Sequence, residues 1–78
     1  MKYPRIRNMR EDRDLSQIDV AKYLGVRQTA YSKYELGQRS MTPEALIKLA
    51  DFHNTSIDYL LGRTDIKEPY EKSARLSV

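Results

Sequence analysis

Five side chains between positions 17 and 33 could do chemistry of one kind: Gln17, Gln28, Thr29, Ser32 and Lys33. Their amides, hydroxyls and ammonium group offer hydrogen bonds in several directions. At 100° per residue, Gln28, Thr29, Ser32 and Lys33 share one side of a helix, while Ala30, Tyr31 and Tyr34 share the other. The polar side is available for a ligand, although taken alone it reads more readily as a solvated helix face. A catalytic site is harder to find. No nucleophile, base and orienting group stand at meaningful spacing, and there is no glycine-rich phosphate loop. With no cysteine and His53 as the only histidine, no zinc site can be assembled. His53 itself reads as an exposed helix-end residue, and neither a cofactor nor a metal is expected.

The elements that must position these side chains are helices. From Pro4 to Arg13, Ile6, Met9, Arg10 and Arg13 recur at three- and four-residue spacing, with Leu15 closing the following turn. Arg10 lies near the apolar stripe, where a charge is costly unless a carboxylate pairs with it. Ser16 is a good N-cap for a second helix over 17–24, whose inward face is Val20, Ala21 and Leu24. Gly25 ends it, because a residue without Cβ takes positive φ freely. A third helix begins near Arg27 or Gln28 and stops at Gly37. Two short helices joined by a tight turn in this way are laid out as a helix-turn-helix.

Thr42, Pro43 and Glu44 together make a strong start for a fourth helix, supplying a cap, a pre-set φ and a favourable first-turn charge. Leu46, Ile47, Leu49 and Ala50 form its apolar face. Ser56 caps a last short helix anchored by Ile57, Leu60 and Leu61, with Gly62 as its stop. Beyond Arg63 the apolar residues are isolated and Pro69 interrupts them, so this stretch reads as a tail or docking arm. The division expected is one domain over 1–64 and a tail over 65–78.

Size and charge limit the rest. A chain of 78 residues holds one small core that buries about 60% of its unfolded surface. The net charge of +3 is unevenly spread: residues 1–40 carry nine Lys or Arg against five Asp or Glu, and residues 41–62 carry one against three. The basic half thus holds the polar helix, as a phosphate backbone would favour. No apolar run approaches the about 18 residues of a membrane span, and the start lacks the apolar stretch of a signal peptide, so a cytoplasmic location is expected.

The segments LSQIDVAKYLGV, a polar helix ending YELG, TPEALIKLADF and SIDYLLGR occur in this order over about Ile6 to Arg63. In this the chain resembles the Cro and phage-repressor-like helix-turn-helix proteins, the Xre family of bacterial and phage regulators. The resemblance implies an all-α, five-helix, lambda-repressor-like DNA-binding domain. Such domains usually act as homodimers on a two-fold related operator, with the third helix in the major groove. Carried over by position, Gln28, Thr29 and Lys33 become readers of base edges, with Ser32 a further candidate. Gln17 holds a phosphate and steadies Gln28, Arg27, Arg39 and Ser40 grip phosphates, and Arg10 pairs with Glu35. Tyr31 stands where the family usually has Ile or Val, and Leu36 where a polar residue is common. The function expected is a sequence-specific regulator of transcription, most naturally a repressor. A protein-interaction module on the same fold, such as an antitoxin or adaptor using Leu36, the end of helix 5 or the tail, is the alternative.

Overall fold

The computed structural model describes residues 3–71 and contains five helices in chain order. These are α1 (Pro4–Asp12), α2 (Gln17–Leu24), α3 (Gln28–Leu36), α4 (Pro43–Phe52) and α5 (Ile57–Leu60). Three of them open on a hydroxyl that accepts from the backbone three residues on: Ser16 from Asp19, Thr42 from Ala45 and Ser56 from Tyr59. At α2 the arrangement is reciprocal, since the Ser16 N-H also donates to Asp19 Oδ2 at 3.0 Å. That bond, with the Ser16 hydroxyl, holds the Asp19 carboxyl below its usual range.

All five helices stop in one way. A residue with positive φ follows the last turn: Asp14, Gly25, Gly37, Asn54 and Gly62. The next N-H then reaches back to a carbonyl five residues earlier: Leu15 to Arg10 at 3.1 Å, Val26 to Ala21 at 3.0 Å and Gln38 to Lys33 at 2.9 Å. Thr55 to Ala50 at 2.9 Å and Arg63 to Asp58 at 2.8 Å complete the set. The glycine stops are plain in the sequence. Asp14 and Asn54 do the same work because a short polar side chain tolerates the left-handed region.

The core is one cluster. Ile6, Val20, Tyr31, Leu49 and Leu60 are its largest fully buried side chains, joined by Met9, Ala21, Leu24, Tyr34 and Ala50. Tyr3 and Met41 extend it, with the Met41 N-H directed at Tyr3 Oη at 3.4 Å. α2 packs on α3 and α4, α1 on α3 and α5, and α4 on α5. Ile47, expected on the inner face of α4, is 51% exposed. The buried stripe runs through Leu46, Leu49, Ala50 and His53, and Ile47 lies about 100° to its side.

His53 overturns its expected exposure. It is buried at 6%, because it continues the α4 stripe and is covered by residues distant in sequence. Arg13 Nη1 donates to the Phe52 carbonyl at 2.8 Å and lies 3.3 Å from His53 Nδ1, while Nε2 is buried without a partner. Burial, with the charges of Arg13 and Lys67, lowers the imidazole to about 4. The segment after α5 folds back over this region. Arg5 stacks 4.1 Å over the Tyr59 ring, donates to the carbonyls of Tyr59 and Thr64, and pairs with Asp65 at 2.8 Å. Thr55 Oγ1 donates to the Lys67 carbonyl, and Tyr70 Oη donates to Asp58 at 2.7 Å. Positions 72–78 of the expected tail lie outside the described residues.

Two outcomes follow for stability. A Cβ built at Gly25 meets nothing within 4 Å, so Gly25→Ala is strained only by its φ of +73. Urea unfolding is expected to show a loss of about 1–2 kcal/mol for Gly25→Ala and a smaller one for Gly25→Asn. His53 is held neutral in the fold, whereas in the unfolded chain it takes up a proton below its ordinary value of 6.5. Stability is therefore fully present above that value and falls as pH drops toward about 4, by up to about 1.4 kcal/mol per pH unit. Unfolding followed between pH 7 and 4.5 is expected to show this slope, and a His53→Leu variant to lack it.

Candidate nucleic-acid interface

α3 divides its side chains sharply. Tyr31, Tyr34 and Glu35 are buried, and the two tyrosine rings meet edge to face with centroids 6.4 Å apart. Gln28, Thr29 and Lys33 are exposed, and Ser32 is half-buried beside them. Thr29, Ser32 and Lys33 form no side-chain hydrogen bond or ion pair among the described residues, so their polar atoms are available to a ligand. Arg27 immediately precedes the helix and is exposed, as are Arg39 and Ser40 in the loop that follows it. The structure therefore puts Arg27 and Arg39 at opposite ends of a helix about 13 Å long rather than together.

Gln28 is oriented from beneath. Arg10 binds Glu35 through two parallel hydrogen bonds, Nε to Oε2 at 2.7 Å and Nη2 to Oε1 at 3.0 Å. A third guanidinium bond, from Nη1 to the Leu15 carbonyl at 3.0 Å, ties the pair to the α1–α2 turn. Gln17, half-buried at the first position of α2, donates from Nε2 to Glu35 Oε1 at 3.1 Å. Its Oε1 accepts from Gln28 Nε2 at 2.7 Å. One chain of hydrogen bonds thus runs from α1 through the buried carboxylate and α2 to the exposed face of α3.

The electrostatics follow from this arrangement. Burial pushes the Glu35 carboxyl up, but the bonds from Arg10 and Gln17, with the Tyr31 hydroxyl alongside, outweigh it and hold it below the usual range. The hydrogen bond to Glu35 raises the Arg10 guanidinium further, against the effect of its burial. Tyr31 Oη is buried and makes no hydrogen bond of acceptable geometry. Burial and the adjoining carboxylate both raise this phenol above its ordinary value.

One feature is not encoded in any motif. Arg27 occupies the N-cap of α3 and its side chain makes no capping bond, unlike Ser16, Thr42 and Ser56 on the other helices that follow a turn. The first-turn N-H groups of α3 are left for an outside acceptor, and an anion is favoured there by the helix dipole. The absence of Ser, Thr, Asp or Asn at position 27 was the available signal. Among the described residues, no group of three or more histidines and carboxylates could hold a metal, and no helix is long and apolar enough to cross a membrane.

Comparison with known proteins agrees with this geometry. A helix-turn-helix family model matches residues 6–60. The transcriptional repressor RstR of the cryptic phage CTXphi, from Vibrio cholerae, is 39% identical over 72 residues, which cover 92% of this chain and 64% of that protein. The transcriptional regulator AnsR of Bacillus subtilis is 34% identical over 77 residues, 99% of this chain and 66% of that protein. The chain thus spans a little under two thirds of the length of these curated relatives. Among solved structures, the P22 c2 repressor in complex with a synthetic operator superposes with a TM-score of 0.70 at 33% identity, over 74% of this chain and 88% of that one. With the family match spanning the five helices and the relatives covering nearly the whole sequence, this chain belongs to the helix-turn-helix family of the Cro and phage-repressor type.

Proposed function

We propose that the chain is a sequence-specific DNA-binding regulator of transcription, a repressor that places α3 in the major groove of B-form DNA. The observation that carries this reading is the exposed row on α3, whose first member, Gln28, is already oriented by a hydrogen bond to Gln17 while its neighbours keep their polar atoms unspent. Gln28 can pair bidentately with adenine, Lys33 can donate to guanine O6 and N7, and Thr29 offers a hydroxyl and a methyl to thymine. Ser32 is the further reader. Arg27, Arg39 and Ser40 hold phosphates at the two ends of the helix, as Gln17 does at the start of α2, and the uncapped first turn of α3 adds backbone donors. The likeness to a repressor described in complex with an operator supports the same reading.

The protein acts as a homodimer on a two-fold related site, so that half-sites lie about one helical turn, 34–36 Å, apart. Binding-site selection from random duplexes tests function and spacing together. An enriched motif with that spacing is the expected result, and the absence of any motif at moderate salt would overturn the reading.

Two substitutions separate the roles. Gln28 is exposed, so Gln28→Ala should leave the melting temperature nearly unchanged while relaxing preference at one base position, a loss of about 1–3 kcal/mol of discrimination. Arg39→Ala should weaken all duplexes alike and lower the slope of log K against log salt by about 1. Competition binding over a salt series measures both. A salt-insensitive interaction would point instead to a protein partner.

A further inference from the structure

We infer that residues 64–70, which follow α5, form an acid-released strap: they lie closed over the end of α4 while His53 is uncharged and lift away when its imidazole takes a proton, leaving the five helices folded.

The strap is fastened by hydrogen bonds rather than by packing. Arg5 holds its start through the Thr64 carbonyl and Asp65, Thr55 Oγ1 donates to the Lys67 carbonyl at its middle, and Tyr70 Oη donates to Asp58 at its end. Its two large apolar side chains, Ile66 and Tyr70, are each 64% exposed. Between it and the end of α4, His53, Asn54, Lys67, Glu68 and Pro69 line an open cleft of about 260 Å³. The buried core cluster ends at Leu60, with Leu61 packed against it. A segment held in this way can come off without opening the core.

His53 cannot accept a charge in the closed form. Arg13 Nη1, 3.3 Å from Nδ1, has only hydrogens to give, so Nδ1 accepts and the single ring proton sits on Nε2, which is buried without a partner. A second proton would go to Nδ1 and point at a guanidinium donor. Arg13 is itself fixed there, by the Phe52 carbonyl at 2.8 Å and by stacking 4.6 Å over the Phe52 ring. The strap brings a further positive charge, Lys67, and one negative charge, Glu68, which is exposed to water, as is Asp51 on α4 itself. Lifting the strap takes Lys67 away and admits water to Nε2, so the charged imidazole is solvated only in the open form.

The sign of the coupling follows. In the closed form the imidazole is lowered to about 4, and on opening it returns toward its ordinary value of 6.5. Closure is therefore complete above that ordinary value, and between the two values the closing constant drops about tenfold for each pH unit. In the same way, each tenfold weakening of closure by mutation raises the His53 midpoint by about one pH unit.

His53 is the only histidine in the chain, so its ring-proton signals report its titration by NMR without ambiguity. The amides of 64–70 report closure, and those of α2 and α3 report the fold. In the unaltered chain the His53 midpoint should lie below 6.5, the strap amides should shift with the same midpoint, and the α2 and α3 amides should stay in place. Thr55→Val removes one fastening and should raise the midpoint by about half a pH unit or more. His53→Gln cannot take the proton and should keep the strap closed through that midpoint, which separates the effect from protonation of Asp58 and Asp65 at the ends of the strap. Strap amides that stay in place while His53 titrates, a midpoint unmoved in Thr55→Val, or loss of the helix amides at the same pH overturns the inference. Loss of folding in His53→Gln leaves the decision to Thr55→Val.

Discussion

The structure depends on a charge pair that ties its first helix to its third. Arg10 and Glu35 come from α1 and α3, 25 residues apart, and meet with side chains only 13% and 4% exposed. Taking two ions out of water costs several kcal/mol each, and their mutual attraction offsets this only when the geometry is good and the remaining hydrogen-bonding capacity is filled. Here it is filled. The guanidinium spends three donors on Glu35 and Leu15, and the carboxylate accepts from Arg10 and Gln17. α1, which has no side-chain cap at its start, is thereby fastened to the helix that carries the exposed polar row. The pair also gives the interior a direction, since it presents only acceptors toward α2.

Tyr31 shows what that arrangement costs. Its ring is fully buried and fills space between α3 and the rest of the core. A phenol brings a hydroxyl into the core, and this one makes no hydrogen bond. An unsatisfied buried hydroxyl costs about 1–3 kcal/mol. In return the aromatic ring buries a larger apolar area and packs edge to face on Tyr34, while the hydroxyl dipole lies beside Glu35 and favours its ionised form. Volume and electrostatics thus offset the lost hydrogen bond.

Away from that polar row, Arg5 acts on the opposite side of α1. It gathers the end of α5 and the segment after it by stacking on Tyr59 and bonding to two carbonyls and Asp65. Together with Thr55 and Tyr70 it lays residues 64–70 over the end of α4 and along α5, where they help bury His53. The two arginines of α1 thus divide the labour, one binding the buried carboxylate of α3 and the other the segment that follows α5.

What the sequence determined by itself was whatever is decided within a turn or two of helix. Capping hydroxyls at Ser16, Thr42 and Ser56, glycine stops, and apolar periodicity act over three to five residues, so the number, order and ends of the helices were legible, as was the polar face of α3. The family resemblance added roles for that face and a partner for Arg10. What only the tertiary structure decided depends on residues brought together across 11 to 60 positions. His53 is brought beside Arg13 and Lys67, Tyr3 joins the core beside Met41, and the solvent exposure of Ile47 follows from which side of α4 meets the other helices. The direction of the Gln28 amide is of the same kind. A glutamine side chain is nearly symmetric in shape, and only a fixed charge at the far end of a hydrogen-bonded series can tell its two ends apart.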